Sequence, residues 1–398
     1  MKAVILAAGR GTRMKPLTED TPKPLIPVAG KPIIQHNIDI LDDFVEEIIV
    51  VAGYRIRDFR EYFNDTDVRV VEQEEPKGTA DAAFQASSLV NNRALILNGD
   101  DIYGNSIRDL IKKDTGVLVS ESSRPERYGV LDTEQGTVNR IVEKPENPPS
   151  NLVNTGCFLV DEDFFPLLEE VRKSERGELE ITDALTDYIE KRDLEYVVAD
   201  RWIPCSYPWQ LINANQELID SEKDIKGEID PSATIKGDVK IEKGAEIKEN
   251  TIIEGPAIIK TGCKVGPNAH IRENTVLEEN VKVGCSEVKN SVVREETQLP
   301  HFNYVGDSYI GQNVNFGAGA KTANLRNDGK PVKMEVKNDL IDTGRKKLGG
   351  IIGSNTKLGV NTSVKPGRKV GLGAVTDCNE KVEKNLPDNS VLKNGEIS

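Results

Sequence analysis

The sequence predicts two folds in tandem: a doubly wound α/β domain over residues 1–225 and a parallel β-helix over 226–376, followed by a polar tail at 377–398. Three observations lead there. Short apolar runs that end in glycine or acid alternate with helix-like stretches. From Ile229 an aliphatic residue then recurs at every sixth position. Finally, that phase breaks between Val283 and Ile310, and 321–350 is irregular.

The α/β reading rests on "AVILA", "VEEIIVVAGY" and "RALILNGDD", with helical stretches at 31–44 and 79–89 between them. Apolar runs this short, closed by turn residues, suit buried strands, and strands alternating with helices imply a doubly wound sheet. Ligands in such sheets sit beyond the carboxyl ends of the strands. The Gly9–Arg13 loop and Asp100 both fall at such ends.

The β-helix reading rests on Ile229, Ile235, Ile241, Ile247, Ile253, Ile259, Val265, Ile271, Leu277 and Val283, with a shorter ladder at Ile352, Leu358, Val364 and Val370. Ile310 and Phe316 share the phase of the second ladder. A hexapeptide period marks a parallel β-helix, in which each coil offers one aliphatic side chain per face to a column that no single repeat could bury. Irregular loops on so rigid a scaffold are where function is placed.

Composition narrows the function. A net charge of −14 argues against nucleic acid and anionic membrane as partners, since both need basic surface. It also makes two basic islands informative. Residues 1–18 carry Lys2, Arg10, Arg13 and Lys15 with no acid, and 321–347 carry eight Lys/Arg against four Asp/Glu. Two anion sites are expected. No apolar run reaches the roughly 20 residues of a bilayer span, and no charged lead-in and cleavage site of a signal peptide is seen. Five cysteines at irregular spacing fit reduced thiols, hence a cytoplasmic protein.

Three phosphate-loop patterns compete for "AAGRGTRM". The GxxxxGK[ST] pattern is absent. A dinucleotide fingerprint needs glycine where Met14 stands and an acid where "VAGY" follows the second strand. The third pattern is G-x-G-T-R-M-x-P-L-T followed by P-K-P-L. Its glycines let backbone N–H groups approach a triphosphate, and Arg13 and Lys23 aim charge at the phosphorus under attack.

On that third pattern, residues 1–225 resemble the sugar-1-phosphate nucleotidylyltransferase family, which joins a sugar phosphate to a nucleoside triphosphate and releases pyrophosphate. The resemblance implies a Rossmann-like nucleotidyltransferase domain with Arg13 and Lys23 catalytic. It puts Gly9, Gly11, Thr12, Gln73, Gly78 and Thr79 on the nucleotide, and Asp100 on Mg²⁺. Gly129, Glu143, Lys144 and Asn154 fall to the sugar phosphate, from "RYGVL", "IVEKP" and "LVNTGCFL". "GELEITDAL" matches a family stretch that is structural rather than catalytic. One position departs. Pro204 stands where the family's second metal-binding aspartate aligns, and Ser206 where glycine is expected. Proline cannot ligate a metal, and Asp200 lies four residues too early, which puts the nucleotidyl step in question.

The ladder's break contains "PHFNYVGDSYIGQNVNFGAGAKTANLRNDGK". Its H-x-x-Y-x-G-D, then I-G-x-N-V-N-x-G-A-G, resembles the acetyltransferase half of the bifunctional N-acetylglucosamine-1-phosphate uridylyltransferase / glucosamine-1-phosphate acetyltransferase family, archaeal type. The resemblance implies a left-handed β-helix, a homotrimer, and acetyl transfer from acetyl-CoA to an amine. His301 is implied as the base, and Tyr304, Asn315, Asn324 and Lys333 as holding the amino-sugar phosphate, with Lys330 a further cation. Ala318 and Ser354 are implied to hold acetyl-CoA. Imidazole, with an unperturbed pKa of about 6.5, suits removal of an ammonium proton near neutrality. His36 and His270 are expected to be structural.

The expected activity is therefore twofold: acetylation of glucosamine- or galactosamine-1-phosphate, then coupling of the product to UTP. Two other readings stay open: a monofunctional nucleotidylyltransferase with a structural β-helix, such as a glucose-1-phosphate thymidylyltransferase, and a non-catalytic assembly protein. The sequence determines neither the base, uracil or thymine, nor the sugar.

Overall fold

A computed structural model describes residues 1–398 except 175–176 and 220–221. The chain divides into two compact units. One comprises Met1–Arg10, Pro22–Leu25 and Pro32–Pro204; the other comprises Gly11–Thr21, Ile26–Lys31 and Cys205–Ser398.

The first unit is built on a nine-stranded mixed sheet. Its parallel part runs Arg69–Glu72, Glu47–Ala52, Lys2–Ala7, Ala94–Asn98. Leu152–Val160 then joins antiparallel on Ala94–Asn98. The antiparallel addition makes the doubly wound sheet a mixed one. It arises because Leu152–Val160 lies between Ala94–Asn98 and Gly116–Glu121 and opposes both. Successive residues of Lys2–Ala7 enter two different cores. Val4 and Leu6 join one with Ile49 and Val51, while Ala3, Ile5 and Ala7 join the other with Ile48 and Val50. A strand covered on both faces must be apolar throughout, which is why "AVILA" shows no alternation. The expected helices form at Ile33–Leu41 and Thr79–Gln85, the second continued by a 3-10 turn at Ser87–Leu89.

The second unit is dominated by ladders of short parallel strands. In the regular part each strand pairs with its counterpart three hexapeptides later: Glu228–Ile229 with Glu246–Ile247, Thr234–Lys236 with Ile252–Glu254, Val239–Ile241 with Ala257–Ile259. The six-residue aliphatics form one continuous core. Ile241 through Val283 are buried in it, and Ile229 and Ile235, at its open start, pack against it half-buried. Asn250, Asn268, Asn274, Asn280, Asn313, Asn355, Asn361 and Asn379 hold positive φ at the turns. Asparagine tolerates this left-handed conformation better than other non-glycine residues.

The ladder does not stop where the phase breaks. Val283 pairs with Leu299 and Val288 with Val305, so these coils are shorter than the three hexapeptides of a regular one. A bulge between Cys285 and Glu287 absorbs the change. Farther on, Ile310 pairs with Ile352 and Phe316 with Leu358. The extra length of that coil is an insertion that folds as a hairpin, Lys333–Val336 against Asp339–Asp342. Among the described residues no helix is long and apolar enough to cross a membrane.

Candidate active sites

In the first unit, Lys23 and Asp100 form an ion pair between Lys23 Nζ and Asp100 Oδ2. Lys23 is 6% exposed, while the Asp100 side chain keeps 41% of its surface. A buried ammonium beside a half-open carboxylate holds that carboxylate in place and leaves it open to a ligand.

The residues expected around the base adopt a fixed turn. Gln73 is buried, and its Nε2 donates to Gly78 O at 3.1 Å and to Asp81 Oδ2 at 2.6 Å. Gly78 has φ +130°, and a side chain there would meet Leu179 O at 2.3 Å, so only glycine fits. Thr79 Oγ1 accepts from Ile181 N–H at 3.0 Å. Through these contacts Leu179 and Ile181 of "GELEITDAL" lie against the turn.

Gly129, Glu143 and Asn154 come together. Gly129 pairs with Glu143 across Gly129–Glu134 and Thr137–Glu143. A side chain at 129 would come within 3.1 Å of Glu143 Oε2 and 3.7 Å of Asn154 Cβ. Lys144 Nζ lies 3.2 Å from Glu143 Oε1. The four sugar-phosphate candidates are thus neighbours in pairs.

Pro204 pairs with Asp101 in the short ladder Trp202–Pro204 against Asp101–Tyr103. Asp200 is committed elsewhere. It accepts from Asn105 N–H at 3.1 Å, Ser106 N–H at 2.9 Å and the Ser106 hydroxyl at 2.8 Å. Burial works to raise its pKa, but the hydrogen bonds from Ser106, Asn105 and Arg201 outweigh it and hold the carboxyl below its ordinary value. It caps a turn. Among the described residues no group of three or more His, Cys, Asp or Glu could hold a metal.

Gly9 lies in the first unit, with open space where a side chain would be. Gly11, Thr12 and Arg13 belong to the second. Gly11 has φ +59° and leads into the 3-10 turn Thr12–Met14. The Arg13 guanidinium lies over the Tyr207 ring, 5.8 Å from its centre. Thr18 Oγ1 donates to Gly11 O at 3.0 Å.

On the ladder, His301 stands exposed at an irregular point of Gln298–Gly306, next to Phe302, which has φ +53° and is 70% exposed. The turn is rigid from beneath. Asn303, 3% exposed, accepts His301 N–H at 3.1 Å and donates to Gly317 O at 2.8 Å. His301 O accepts Gly319 N–H at 2.8 Å. Ala318 is therefore adjacent to the His301 turn, with its carbonyl taken by Asn361 N–H at 2.8 Å.

Tyr304 opens a polar cluster. Its hydroxyl accepts from Asn324 Nδ2 at 3.1 Å, and the same nitrogen donates to Asp307 Oδ2 at 2.5 Å. Asp307 is buried and takes Asn290 Nδ2 at 2.6 Å on its other oxygen. Lys289 Nζ and Arg345 Nη2 approach it at 4.0 and 3.7 Å. Beneath Tyr304, Glu287 is its register partner and bonds Arg272 Nη1 at 3.0 Å. Burial raises the Tyr304 hydroxyl's pKa, so it is a neutral donor at neutral pH. Burial lowers that of Arg345, against the pull of Asp307.

Sequence reasoning missed Arg272, Glu287, Lys289 and Arg345. The six-residue period gave no signal for three of them, because Arg272, Glu287 and Lys289 sit one coil below their partners only through the shortened coils at the phase break. Asn315 is exposed beside the pairing of Gln298 with Asn315 and Lys357. Asn313 is a turn residue, its Nδ2 donating to Asn355 Oδ1 at 2.8 Å. Lys333 is exposed on the inserted hairpin, and Lys330 N–H bonds Asp328 at 3.2 Å in the turn before it. Ser354 is 2% exposed, with its hydroxyl accepting Gln312 N–H at 3.2 Å. That bond braces a turn one face away from Ala318 and Asn361. His270 pairs with Glu254 at 3.1 Å and His36 is buried.

Residues 2–221 match the family model described as nucleotidyl transferase. Over the whole chain, the protein is 43% identical to the "Bifunctional protein GlmU" of Methanocaldococcus jannaschii, covering 98% of that protein. It is 39% identical to the "Bifunctional sugar-1-phosphate nucleotidylyltransferase/acetyltransferase" of Sulfurisphaera tokodaii, over 93% of this chain and 94% of that one. A crystal structure described as a putative glucose-1-phosphate thymidylyltransferase from Bacillus anthracis superposes with a TM-score of 0.51 at 29% identity, covering 56% of this chain and 98% of its own. With full-length likeness on top of the N-terminal match, the chain belongs to the nucleotidyl transferases and, among them, to the bifunctional GlmU family.

Proposed function

We propose that the protein acetylates glucosamine-1-phosphate with acetyl-CoA on the ladder and couples the N-acetylamino-sugar phosphate to UTP at the N-terminal site, releasing pyrophosphate. The observation that carries the reading is the Tyr304–Asn324–Asp307 cluster, with Lys289 and Arg345 beside Asp307 and Arg272 held by Glu287 beneath Tyr304, where Tyr304 shares a strand with His301. Cations gathered by Asp307 and Glu287 suit a phosphorylated sugar, and an exposed imidazole three residues from Tyr304 suits its amine.

In this reading His301 takes the proton of the substrate ammonium. The imidazolium passes that first proton to solvent, and the freed amine attacks the thioester carbonyl. His301 takes the second nitrogen proton as the C–N bond forms, the C–S bond breaks, and the imidazolium gives this second proton to the thiolate of coenzyme A. Tyr304, Asn324 and Asn315 orient the sugar, while Lys333 and Lys330 neutralise phosphate. The pantetheine arm lies along the backbone at Ala318, with Ser354 bracing the neighbouring turn. Galactosamine-1-phosphate meets the same demands of charge and amine. The scaffold is read as a left-handed β-helix that assembles as a trimer.

At the N-terminal site a sugar-phosphate oxygen attacks the α-phosphorus of the nucleotide and pyrophosphate leaves. No strong base is needed, because the attacking oxygen is already ionised. Arg13 and Lys23 spread the developing charge, Gln73, Gly78 and Thr79 form the base-reading turn, and backbone at Gly9, Gly11 and Thr12 approaches the phosphates. Gly129, Glu143, Lys144 and Asn154 take the sugar phosphate. Asp100 fits a divalent cation as its single carboxylate, since Mg²⁺ is commonly held by one or two carboxylates plus substrate phosphates. When bound, Mg²⁺ would neutralise part of the triphosphate charge. With Pro204 in place of a second carboxylate, the expected rate is below that of a two-carboxylate relative.

The test is a pair of assays on one protein: thiol release from acetyl-CoA with glucosamine-1-phosphate, and pyrophosphate release from UTP. The expected result is that His301→Ala removes the first and keeps the second, and Arg13→Ala does the reverse. A wild-type protein that releases no thiol would leave only the nucleotidyl reading.

A further inference from the structure

The second unit holds two stretches from the start of the chain, Gly11–Thr21 and Ile26–Lys31. What fixes them is built from the ladder. Arg294 follows the strand Val292–Val293 and is 7% exposed; its Nη1 donates to the Thr21 hydroxyl at 2.8 Å. Thr21 in turn donates to Asp20 Oδ1 at 3.2 Å. The other guanidinium nitrogens are held by Glu295, with Nη2 at 2.8 Å, and by Gln312 at 3.3 Å, so the donor aimed at Thr21 cannot swing away. Tyr309, in the next strand Tyr309–Ile310, is fully buried and donates its hydroxyl to Pro27 O at 2.8 Å. A third pin is Asn215, 1% exposed, which accepts Ala29 N–H at 3.0 Å and donates to Asn274 O at 2.9 Å.

These bonds are costly to build for the ladder alone. A core of aliphatic columns needs neither a buried guanidinium nor a buried phenol, and each must find partners to offset its desolvation. Burial pushes the Tyr309 hydroxyl's pKa far above its ordinary value, so it stays a protonated donor. Both side chains end on backbone or side-chain groups of residues 21–27, and Lys23 lies between Thr21 and Pro27 in the chain.

We infer that Arg294 and Tyr309 are positioning residues for the nucleotidyl reaction, holding the two chain segments that flank Lys23. The claim rests on the N-terminal reading given above. It makes the first activity depend on side chains of the ladder.

The experiment compares Tyr309→Phe, which deletes one hydroxyl and keeps the ring, with Arg294→Lys, in the full-length protein. Hydrogen–deuterium exchange is read on peptides covering residues 14–30 and on ladder peptides from 240 to 290. Kinetics of both reactions are measured alongside. The expected result is faster exchange in 14–30 with the ladder unchanged. The nucleotidyl kcat should fall about 10- to 100-fold, as for a reacting group misplaced by a fraction of its contact distance, while KM values and acetyl transfer stay near wild type. Unchanged exchange in 14–30 in both variants would overturn the inference, as would equal loss of both activities. A wild-type protein with no pyrophosphate release defeats the underlying reading and the kinetic half with it, while the exchange data still decide whether the pins hold the segment.

Discussion

Two parts of one ladder invite comparison: the regular coils from Ile229 to Val283, and the altered coils from Gly284 to Gly350. The first repeat every three hexapeptides and bury one aliphatic per face. The second shorten, carry a bulge, and take in a hairpin. The altered coils bury their inward side chains as well as the regular ones do: Val288, Leu299 and Val305 are as hidden as Ile253 and Ile259. The difference lies outside the core. Shortening a coil moves backbone and side chains off the repeat, and that is where His301, Tyr304 and Asp307 stand. The repeat carries the buried core, and its faults carry the candidate site residues.

The largest expected effect separates the two directly. His301→Ala should lower acetyl transfer by about 10²- to 10⁴-fold, the usual range for losing a general base. Its melting temperature should not move, because the side chain is exposed and the turn beneath is held by Asn303. A matching loss of melting temperature would make the imidazole part of the scaffold instead.

The converse change is Ile259→Ala in the regular coils. Ile259 is fully buried in the continuous core, and truncation of such a residue costs about 2–5 kcal/mol. Denaturant unfolding should show that loss, and the acetyl-transfer kcat of the folded fraction should be unchanged. A drop in kcat at full folding would mean that the regular coils shape the site.

Between these lies Asp307→Asn. Asp307 is buried at a turn with φ +51° and binds Asn324 and Asn290 near Lys289 and Arg345. Removing its charge leaves the cations without their acid and forces one amide to face another. Loss of a buried charge-assisted bond costs about 1.5–3 kcal/mol. The expected reading is a higher KM for the amino-sugar phosphate with the KM for acetyl-CoA unchanged, measured by varying each substrate in turn.

Most of the architecture was legible in the chain, for a reason specific to each half. A period of six is a long-range signal repeated often enough to survive local noise, so the stacked strands could be read without a partner sequence. The strand Lys2–Ala7 was legible because both its faces are covered. What stayed hidden depended on pairings that cross the phase break. Arg272, Glu287 and Lys289 each look like solvated charges on a polar strand until the shortened coils set Glu287 beneath Tyr304. The antiparallel strand Leu152–Val160 is equally silent, because an apolar run does not say which neighbour it will oppose. The anchors on Thr21 and Pro27 were invisible too, since they join positions 273 and 282 apart in the chain.

The smallest effect concerns a buried acid on the regular side of the divide. Glu278 is 2% exposed and ion-pairs with Lys260 at 2.6 Å, while among the described residues its Oε1 has no hydrogen-bond partner. Burial drives its pKa up to about 7 despite that ammonium. Lys260 is shifted upward, because Glu278 and Glu279 outweigh its own burial. The two shifts pull in opposite senses on the pair. The carboxyl's direction prevails at neutral pH, since Lys260 is shared with Glu279 at 2.9 Å and Glu278 keeps one oxygen bare. For an acid raised on folding, the native state binds the extra proton, so its contribution to stability is full below the unfolded value near 4.5 and is lost as pH rises through about 7. Wild-type melting temperature should therefore carry a downward component between about pH 5 and 7.5 that Glu278→Gln removes. The substitution should also leave the neighbouring Arg294–Thr21 bond in place, because Arg294 is held by Glu295 and Gln312 rather than by Glu278. A variant whose melting curve tracks wild type across that window would mean that Glu278 stays ionised beside Lys260, and that the regular coils tolerate a buried ion pair as readily as the altered coils do around Asp307.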